Sequence, residues 1–277
     1  MDVGIGLPNG VPGTDPSQIA QWACIADEGP FASVGVVDRI KYDTVDPLVS
    51  LAVAAAVTQR VELVTSIVIA PLREVTTMAK QARSVQAVSE GRLTLGLAIG
   101  ARSDDYDISE FGTARRGDRL SEQLERMREL FAADDMGPVT ADPPRMLVGG
   151  GSGSSFARAA RYADGWIHGG SPPRHFARDE QQMQAAWQDA GRPGRPQVYS
   201  MAYYALDGEH EQGRQYMLDY YAFTGAFAPR IADGLLTSAP AIREYVQAYD
   251  AAGCDHLLLF PTVADARQAN LLAEALT

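Results

Sequence analysis

Between Met146 and Gly170 the chain reads MLVGGGSGSSFARAARYADGWIHGG. An apolar run passes into Gly149, Gly150, Gly151, Ser152, Gly153 and Ser154, and a helical pattern begins at once. Glycines let main-chain N–H groups crowd round an anion, and the positive end of a helix attracts it, so this segment can hold a phosphate. The same residues equally suit a helix start capped by the Ser152 or Ser154 hydroxyl, and glycine-rich spacing alone leaves both readings open. His168 closes the segment. Its near-neutral pKa suits a proton relay or a hydrogen bond to a ligand, and the structural alternative is a ring that caps loop carbonyls. The other histidines, His175, His210 and His256, form no metal-ligand spacing with Cys24, Cys254 or nearby carboxylates, so no metal centre is expected.

Four further groups could do chemistry. Asp38-Arg39 follows the apolar run FASVGVV; a guanidinium stays protonated at ordinary pH, so Arg39 can hold an anion and cannot act as a base. Arg102 and Tyr106 supply a fixed cation and a polar-tipped ring in a glycine-led loop. Around them Asp104, Asp105, Asp107 and Glu110 form a charge cluster, which is most often a solvated face. Tyr203 ends another apolar run, with Tyr204 beside it and Tyr220 and Tyr221 downstream; ordinary helix-to-sheet packing accounts equally well for the latter two.

Positioning these residues falls to a regular rhythm. Strand-like runs occupy Val3–Leu7, Phe31–Val37, Val61–Ile69, Leu93–Ile99, Arg145–Val148, Gly165–His168, Val198–Tyr204 and His256–Phe260. Between them, helical periodicity covers Pro16–Glu28, Val45–Gln59, Val75–Ser89, Gly117–Ala132, Ser152–Tyr162 and Pro172–Ala190, then a stretch from Glu209 to Ala252 read as two helices, and finally Ala264–Leu276. Runs such as VELVTSIVIA are apolar on both faces, as a parallel sheet covered by helices requires. Eight βα units in 277 residues predict a (β/α)8 TIM barrel forming a single domain over the whole chain. An open doubly wound sheet would place G-x-G-x-x-G after the first strand, and GIGLPNGVPG lacks that spacing. In a barrel of this kind the active site forms where the strands end. That rule selects Pro8-Asn9, Asp38-Arg39, Thr65-Ser66 with Ile67, Gly100-Ala101-Arg102, Gly149 to Gly151, His168-Gly169-Gly170, Tyr203 and Phe260-Pro261. The least regular segment runs from Asp134 to Arg145, with the character of a connection and not of a domain boundary.

Composition narrows the partners. A net charge of −11 with no basic run argues against nucleic acid, whose binding relies on Lys and Arg. No stretch approaches a membrane span, and the N-terminus has no signal-peptide pattern, so a cytoplasmic protein is expected. Both cysteines fit small buried hydrophobes.

The order of these blocks resembles the bacterial luciferase-like monooxygenase superfamily of flavin- and deazaflavin-dependent oxidoreductases. GGGSGSSFARAARYADGWIHGG is similar to its glycine pair, small-residue helix and ADGW. AKQARSVQAVSEGRLTLGLAIG is similar to its helix, S-x-G-R, strand and G-x-G. RRGDRLSEQLERMREL is similar to the following helix, with an Arg and an acidic residue near its start. The resemblance implies a barrel that binds FMN or coenzyme F420, with the ring in the mouth and the phosphate near Gly149–Ser154. It also implies an irregular peptide at the end of the third strand, within Thr65–Ala70, against which the ring lies. It implies a small-molecule substrate, to be oxygenated or reduced, with Tyr106 and Tyr203 near it, and a homodimer packed through helices flanking the second and third strands. Two departures stand out. Similar enzymes often carry Asp-His where this chain has Asp38-Arg39, and Arg-x-Pro where it has Arg73-Glu74-Val75. Loss of the imidazole keeps a non-catalytic alternative open, a flavin-binding barrel serving as carrier or heterodimer subunit. A phosphate-sugar enzyme on the same barrel is a third reading.

Overall fold

The computed structural model describes residues 1–133 and 136–277. Eight parallel strands close into a barrel in sequence order. They are β1 (Asp2–Gly6), β2 (Ser33–Val36), β3 (Glu62–Ile69), β4 (Leu93–Ala98), β5 (Arg145–Gly149), β6 (Gly165–Ile167), β7 (Gln197–Tyr204) and β8 (His256–Pro261). Each of the eight predicted strand positions is therefore a strand, with ends moved by one or two residues. The helices are α1 (Gln18–Glu28), α2 (Pro47–Val57), α3 (Val75–Val88), α4 (Asp104–Asp107), α5 (Arg116–Ala132), α6 (Gly153–Tyr162), α7 (Pro173–Asp189), α8 (His210–Tyr220), α9 (Ala228–Ala232), α10 (Ala239–Ala251) and α11 (Arg267–Leu276).

Local chemistry sets these helix starts. The Asp46 side chain accepts from the N–H groups of Leu48 and Val49 with Pro47 in the first turn, and Glu74 accepts from Thr76 and Thr77. Both satisfy donors that a helix start leaves open. Glu74 thus caps α3 in a chain that has Arg73-Glu74-Val75 in place of Arg-x-Pro.

Two parts differ from expectation. The stretch read as two helices carries α8, α9 and α10, because Gly225 at φ 58° interrupts a 3-10 turn over Ala222–Phe227 and Pro229 opens a new helix. The acidic cluster expected as loop folds its core into the single turn α4. Asp134 and Asp135, at the head of the irregular connection, lie outside the described residues; residues 136–144 contain neither helix nor strand.

Apolar packing occurs in two shells. Between strands and helices, Trp22, Phe31, Phe156, Trp166, Phe176 and Tyr249 are buried. Inside the barrel, Val64, Leu147, Ile167, Met201, Leu258 and Phe260 fill the space. Phe260 fits because β1 has glycine beside it: a Cβ on Gly6 would lie 2.2 Å from its ring and 2.8 Å from its Cα. The N-terminal end of the barrel is closed by polar groups. The Glu62 carboxylate accepts from Tyr199 at 3.0 and 3.1 Å and Arg145 at 3.0 Å, and from Thr94; His256 Nε2 meets Ser33 Oγ at 2.6 Å. Among the described residues, no helix is long and apolar enough to cross a membrane, and no cluster of three His, Cys, Asp or Glu could hold a metal.

The close approach at Gly6 yields a stability prediction. Gly6→Ala should cost about 1–3 kcal/mol in urea unfolding, as overpacked interiors do. Gly112→Ala, with nothing within 4 Å of the new Cβ, should stay close to wild type and serves as the control.

Candidate functional site

A cavity of about 680 Å³ opens at the C-terminal ends of the strands. A larger bowl of about 1230 Å³ lies at the opposite end, around the saturated Glu62 network. Conserving the barrel is the usual task of that end, and ligand chemistry belongs to the strand C-termini.

At the end of β2, the Asp38 carboxylate accepts from Ile69 N at 2.7 Å and from Arg73 at 2.6 and 3.1 Å. Burial raises the Asp38 pKa, with the Arg73 charge and both sets of hydrogen bonds pulling the other way. Asp38 is part of the cavity wall, yet its lone pairs are engaged in joining β2 to β3. Arg39 is buried and is not part of that wall. Its Nε donates to Asp105 at 2.7 Å and its Nη2 to Asp104 at 2.8 Å, with the Tyr42 ring 5.0 Å away. The other Asp105 oxygen accepts from Ile40 N and Lys41 N, both at 2.8 Å. Where the sequence suggested a solvated acidic face, Asp105 is therefore a buried tie between the β2 and β4 loops, and Arg39 is its counter-ion.

From β3, Ser66 and Ile67 reach the cavity and the peptide between them is cis, within the segment where an irregular peptide was expected. Thr65 stays outside the wall, fully buried, with its hydroxyl donating to Gly96 O at 2.8 Å. From β4, Gly100, Ala101 and Arg102 line the cavity. Tyr106 does not; its hydroxyl donates to Ile99 O at 2.5 Å and braces the loop from within.

Gly149, Gly150, Gly151, Ser152, Ser154 and Ser155 form one side of the cavity, and Gly153 opens α6 just beyond it. Ser152 and Ser155 cap each other's N–H groups, at 3.3 and 2.9 Å. The N-cap reading is thus realised by Ser152 alone, and it is compatible with anion binding because the first N–H groups of α6 have no acceptor in their own helix. Gly150 adopts φ +126°, and a Cβ there would lie 2.9 Å from that of Ser155; a Cβ on Gly151 would meet only Asp179, at 3.4 Å. Arg116 and Arg158 flank the same side, and sequence reading had singled out neither beyond a general Arg at a helix start. Arg158 donates to Ser121 Oγ at 3.0 Å and Gly117 O at 3.1 Å, without a carboxylate partner among the described residues, and burial lowers its pKa.

His168 lines the cavity between β6 and the cradle. Gly170 N donates to its Nδ1 at 3.2 Å, which assigns the proton of the neutral ring to Nε2, 3.7 Å from Asp179. Burial lowers the His168 pKa to about 4, and the opposing pull of Asp179 is the smaller effect. The ring is consequently neutral at pH 7, a hydrogen-bond donor and not a near-neutral relay.

The facing side is aromatic, built by Tyr203 of β7 with Tyr220, Tyr221 and Phe223. Tyr221 donates to the Tyr203 hydroxyl at 3.2 Å, which leaves Tyr203 its own proton to give. Burial raises the pKa of both, so both remain phenols. Tyr220 and Tyr221 both line the mouth and also pack in the buried cluster around Tyr203 and Tyr216, so both readings of these rings describe part of what they do.

The His168 environment can be tested directly. Its ring resonances should titrate near pH 4, well below the ordinary 6.5. The unfolded chain then binds a proton that the folded chain refuses, so the His168 contribution is full above pH 6.5 and is lost as pH falls toward 4. His168→Asn should flatten that part of a stability–pH curve; an unchanged curve would refute the assignment.

Comparison with known proteins places this geometry in context. An uncharacterized protein of Mycobacterium tuberculosis is 32% identical over 176 residues, which cover 57% of this chain and 61% of that protein. The match therefore spans about three fifths of the relative's length. An F420-dependent secondary alcohol dehydrogenase, solved with an F420–acetone adduct, superposes with a TM-score of 0.83 at 15% identity, covering 99% of this chain and 98% of that one. The oxygenating constituent of 3,6-diketocamphane monooxygenase from Pseudomonas putida, solved with FMN, gives 0.76 at 15% identity, covering 99% and 95%. At such identities the superpositions establish the barrel alone. The luciferase-like monooxygenase family model matches residues 1–254, and the chain belongs to that family.

Proposed function

We propose that this protein is an oxidoreductase that uses FMN or F420 in reduced form to oxygenate or reduce a small organic molecule. The observation that carries this reading is a cavity with one wall suited to a phosphate and a floor suited to a flat ring. Gly151, Ser152 and Ser154, with Arg116 and Arg158, would hold the phosphate: they combine open α6 amides, hydroxyls and two half-buried guanidinium groups that have no carboxylate partner among the described residues. Ser66, Ile67, Ile167 and Met201 supply a mainly apolar bed for the ring. The open space beside Gly151 fits this occupant, since a side chain there would fill it.

When bound, such a cofactor supplies hydride or oxygen chemistry, and the protein contributes position and shielding. His168 offers an N–H at Nε2 beside the cradle. Tyr203 holds a proton on its hydroxyl toward the opposite side. The aromatic segment from Tyr220 to Phe223 covers the mouth and excludes water. No residue takes the place of the imidazole that relatives often carry at position 39, because Arg39 is held by Asp104 and Asp105.

Fluorescence or absorbance titration with oxidised and reduced FMN and F420 tests the cofactor assignment. Gly151→Val should weaken binding about tenfold or more with little change in melting temperature, because the new methyls occupy the phosphate's approach. Gly150→Val is the poorer variant, since its φ and its contact with Ser155 cost stability as well. Unchanged affinity in Gly151→Val would remove the cradle from the site. Tight binding without acceptor-dependent oxidation would favour the carrier reading, and phosphate binding without either cofactor the sugar-phosphate one.

A homodimer through α2 is the quaternary arrangement we infer. Val49, Val53 and Val57 are exposed at one-turn spacing on that helix, at 56%, 38% and 39%. Such a stripe is an apolar face left uncovered among the described residues. Val49→Lys with Val53→Lys should turn a dimer into a monomer in sedimentation velocity, leaving the fold intact; a wild type that sediments as a monomer at micromolar concentration would sink the assignment.

A further inference from the structure

Arg102, in the cavity wall opposite the cradle, has no counter-charge among the described residues. The two carboxylates of the wall, Asp38 and Asp105, are paired with Arg73 and Arg39. Arg102 has no carboxylate within ion-pair distance among the described residues. One of its nitrogens, Nη2, donates to Tyr220 O at 2.8 Å, and its Nε is buried without a hydrogen-bond partner. Burying a charged donor unmet is unfavourable unless something supplies the acceptor.

The guanidinium is also held by rings. Its central carbon lies 4.1 Å from the Tyr220 ring centroid, 4.4 Å from that of Phe223 and 5.5 Å from that of Tyr221. Stacking fixes the plane of the cation while leaving its edge donors for a planar, bidentate acceptor. Phe223 remains 46% exposed although it forms part of the cavity wall, so an apolar face there is still uncovered. Across the cavity, the phosphate cradle has its own two guanidinium groups, Arg116 and Arg158, on the β5–α6 side. A second cation embedded in aromatic rings thus calls for a different ligand from the first.

We propose that Arg102 and its rings recognise the substrate, and that the substrate is an aromatic carboxylate: a flat ring packs against Phe223 and Tyr221, and its carboxylate pairs with the Arg102 guanidinium. This deepens the oxidoreductase reading above and rests on it. It also gives Arg102, the fixed cation singled out in the sequence, to the substrate and not to the cofactor. The flat shape follows from the aromatic surfaces, since rings prefer offset or edge contacts with other rings. The carboxylate follows from the guanidinium's uncompensated charge and its unmet Nε, which a neutral amide satisfies less well.

Calorimetric titration of the cofactor-free protein with 2-naphthoate, its neutral analogue 2-naphthamide, and the aliphatic acid decanoate tests the proposal, with FMN and F420 titrated in parallel. Naphthoate should bind at least several-fold tighter than either analogue. Arg102→Gln should weaken naphthoate about tenfold or more while leaving naphthamide and the preferred cofactor nearly unchanged. Arg102→Lys should recover part of the loss. Phe223→Ala, at an exposed ring where folding is not at risk, should weaken naphthoate and naphthamide alike. Equal affinity for naphthoate and naphthamide in the wild type would overturn the proposal. So would a loss of FMN or F420 affinity in Arg102→Gln with naphthoate unaffected, which would return the guanidinium to the cofactor. Naphthoate binding that depends on Arg102 in a protein that binds neither cofactor would leave the aromatic-acid site standing and sink the cofactor assignment alone.

Discussion

Two buried carboxylates hold the mouth of this barrel in shape. Asp38 fastens the end of β2 to the end of β3 through Ile69 N and Arg73, and Asp105 fastens the β2 loop to the β4 loop through Ile40 N, Lys41 N and Arg39. Breaking one partner of a buried pair leaves the other charge stranded, so these ties act together and resist piecemeal change. Everything that faces the cavity on this side, from Ser66 to Arg102, takes its position from them. The Asp-Arg dipeptide at the end of β2 is therefore best understood as architecture. Where relatives often have a titratable ring, this chain has a permanent charge committed to a salt bridge, and proton handling has to come from elsewhere in the mouth.

The groups left for that task have been tuned by burial in one direction. His168 is neutral, and Tyr203 and Tyr221 keep their protons, because desolvation disfavours the charged form of each. The site is consequently rich in hydrogen-bond donors of fixed protonation, and its charges without a partner among the described residues are the guanidinium groups of Arg102, Arg116 and Arg158. A pocket with such contents is suited to orienting anions beside a cofactor that does the reactive work itself.

The barrel was legible in the sequence because both of its periodicities are strong. Doubly apolar runs such as ELVTSIVI mark buried parallel strands, and the glycines after β5 mark a helix start open to a ligand. Which residues of each loop turn inward was not legible. Thr65 and Ser66 are neighbours of similar chemistry, yet one bonds Gly96 O inside the sheet and the other reaches the cavity. Tyr106 follows β4 and Tyr221 follows α8, both aromatic and both in connections over the mouth, and only the second faces the ligand space. Asp105 looked like one of several solvated acids because its partners, Arg39 and two backbone amides, lie 64 to 66 residues away in sequence. Long-range pairing of this kind leaves no local pattern, and the lack of a counter-ion to Arg102, Arg116 or Arg158 among the described residues leaves even less.

The cradle and the aromatic strap belong to different connections of the barrel. One is the turn from β5 into α6; the other is the excursion between β7 and β8 that carries Tyr220, Tyr221 and Phe223 across the mouth. No strand has to move for the second to lengthen, shorten or change its rings. Evolution, or an engineer, can therefore rewrite what the barrel accepts by editing the excursion alone, inheriting the anchoring turn unaltered.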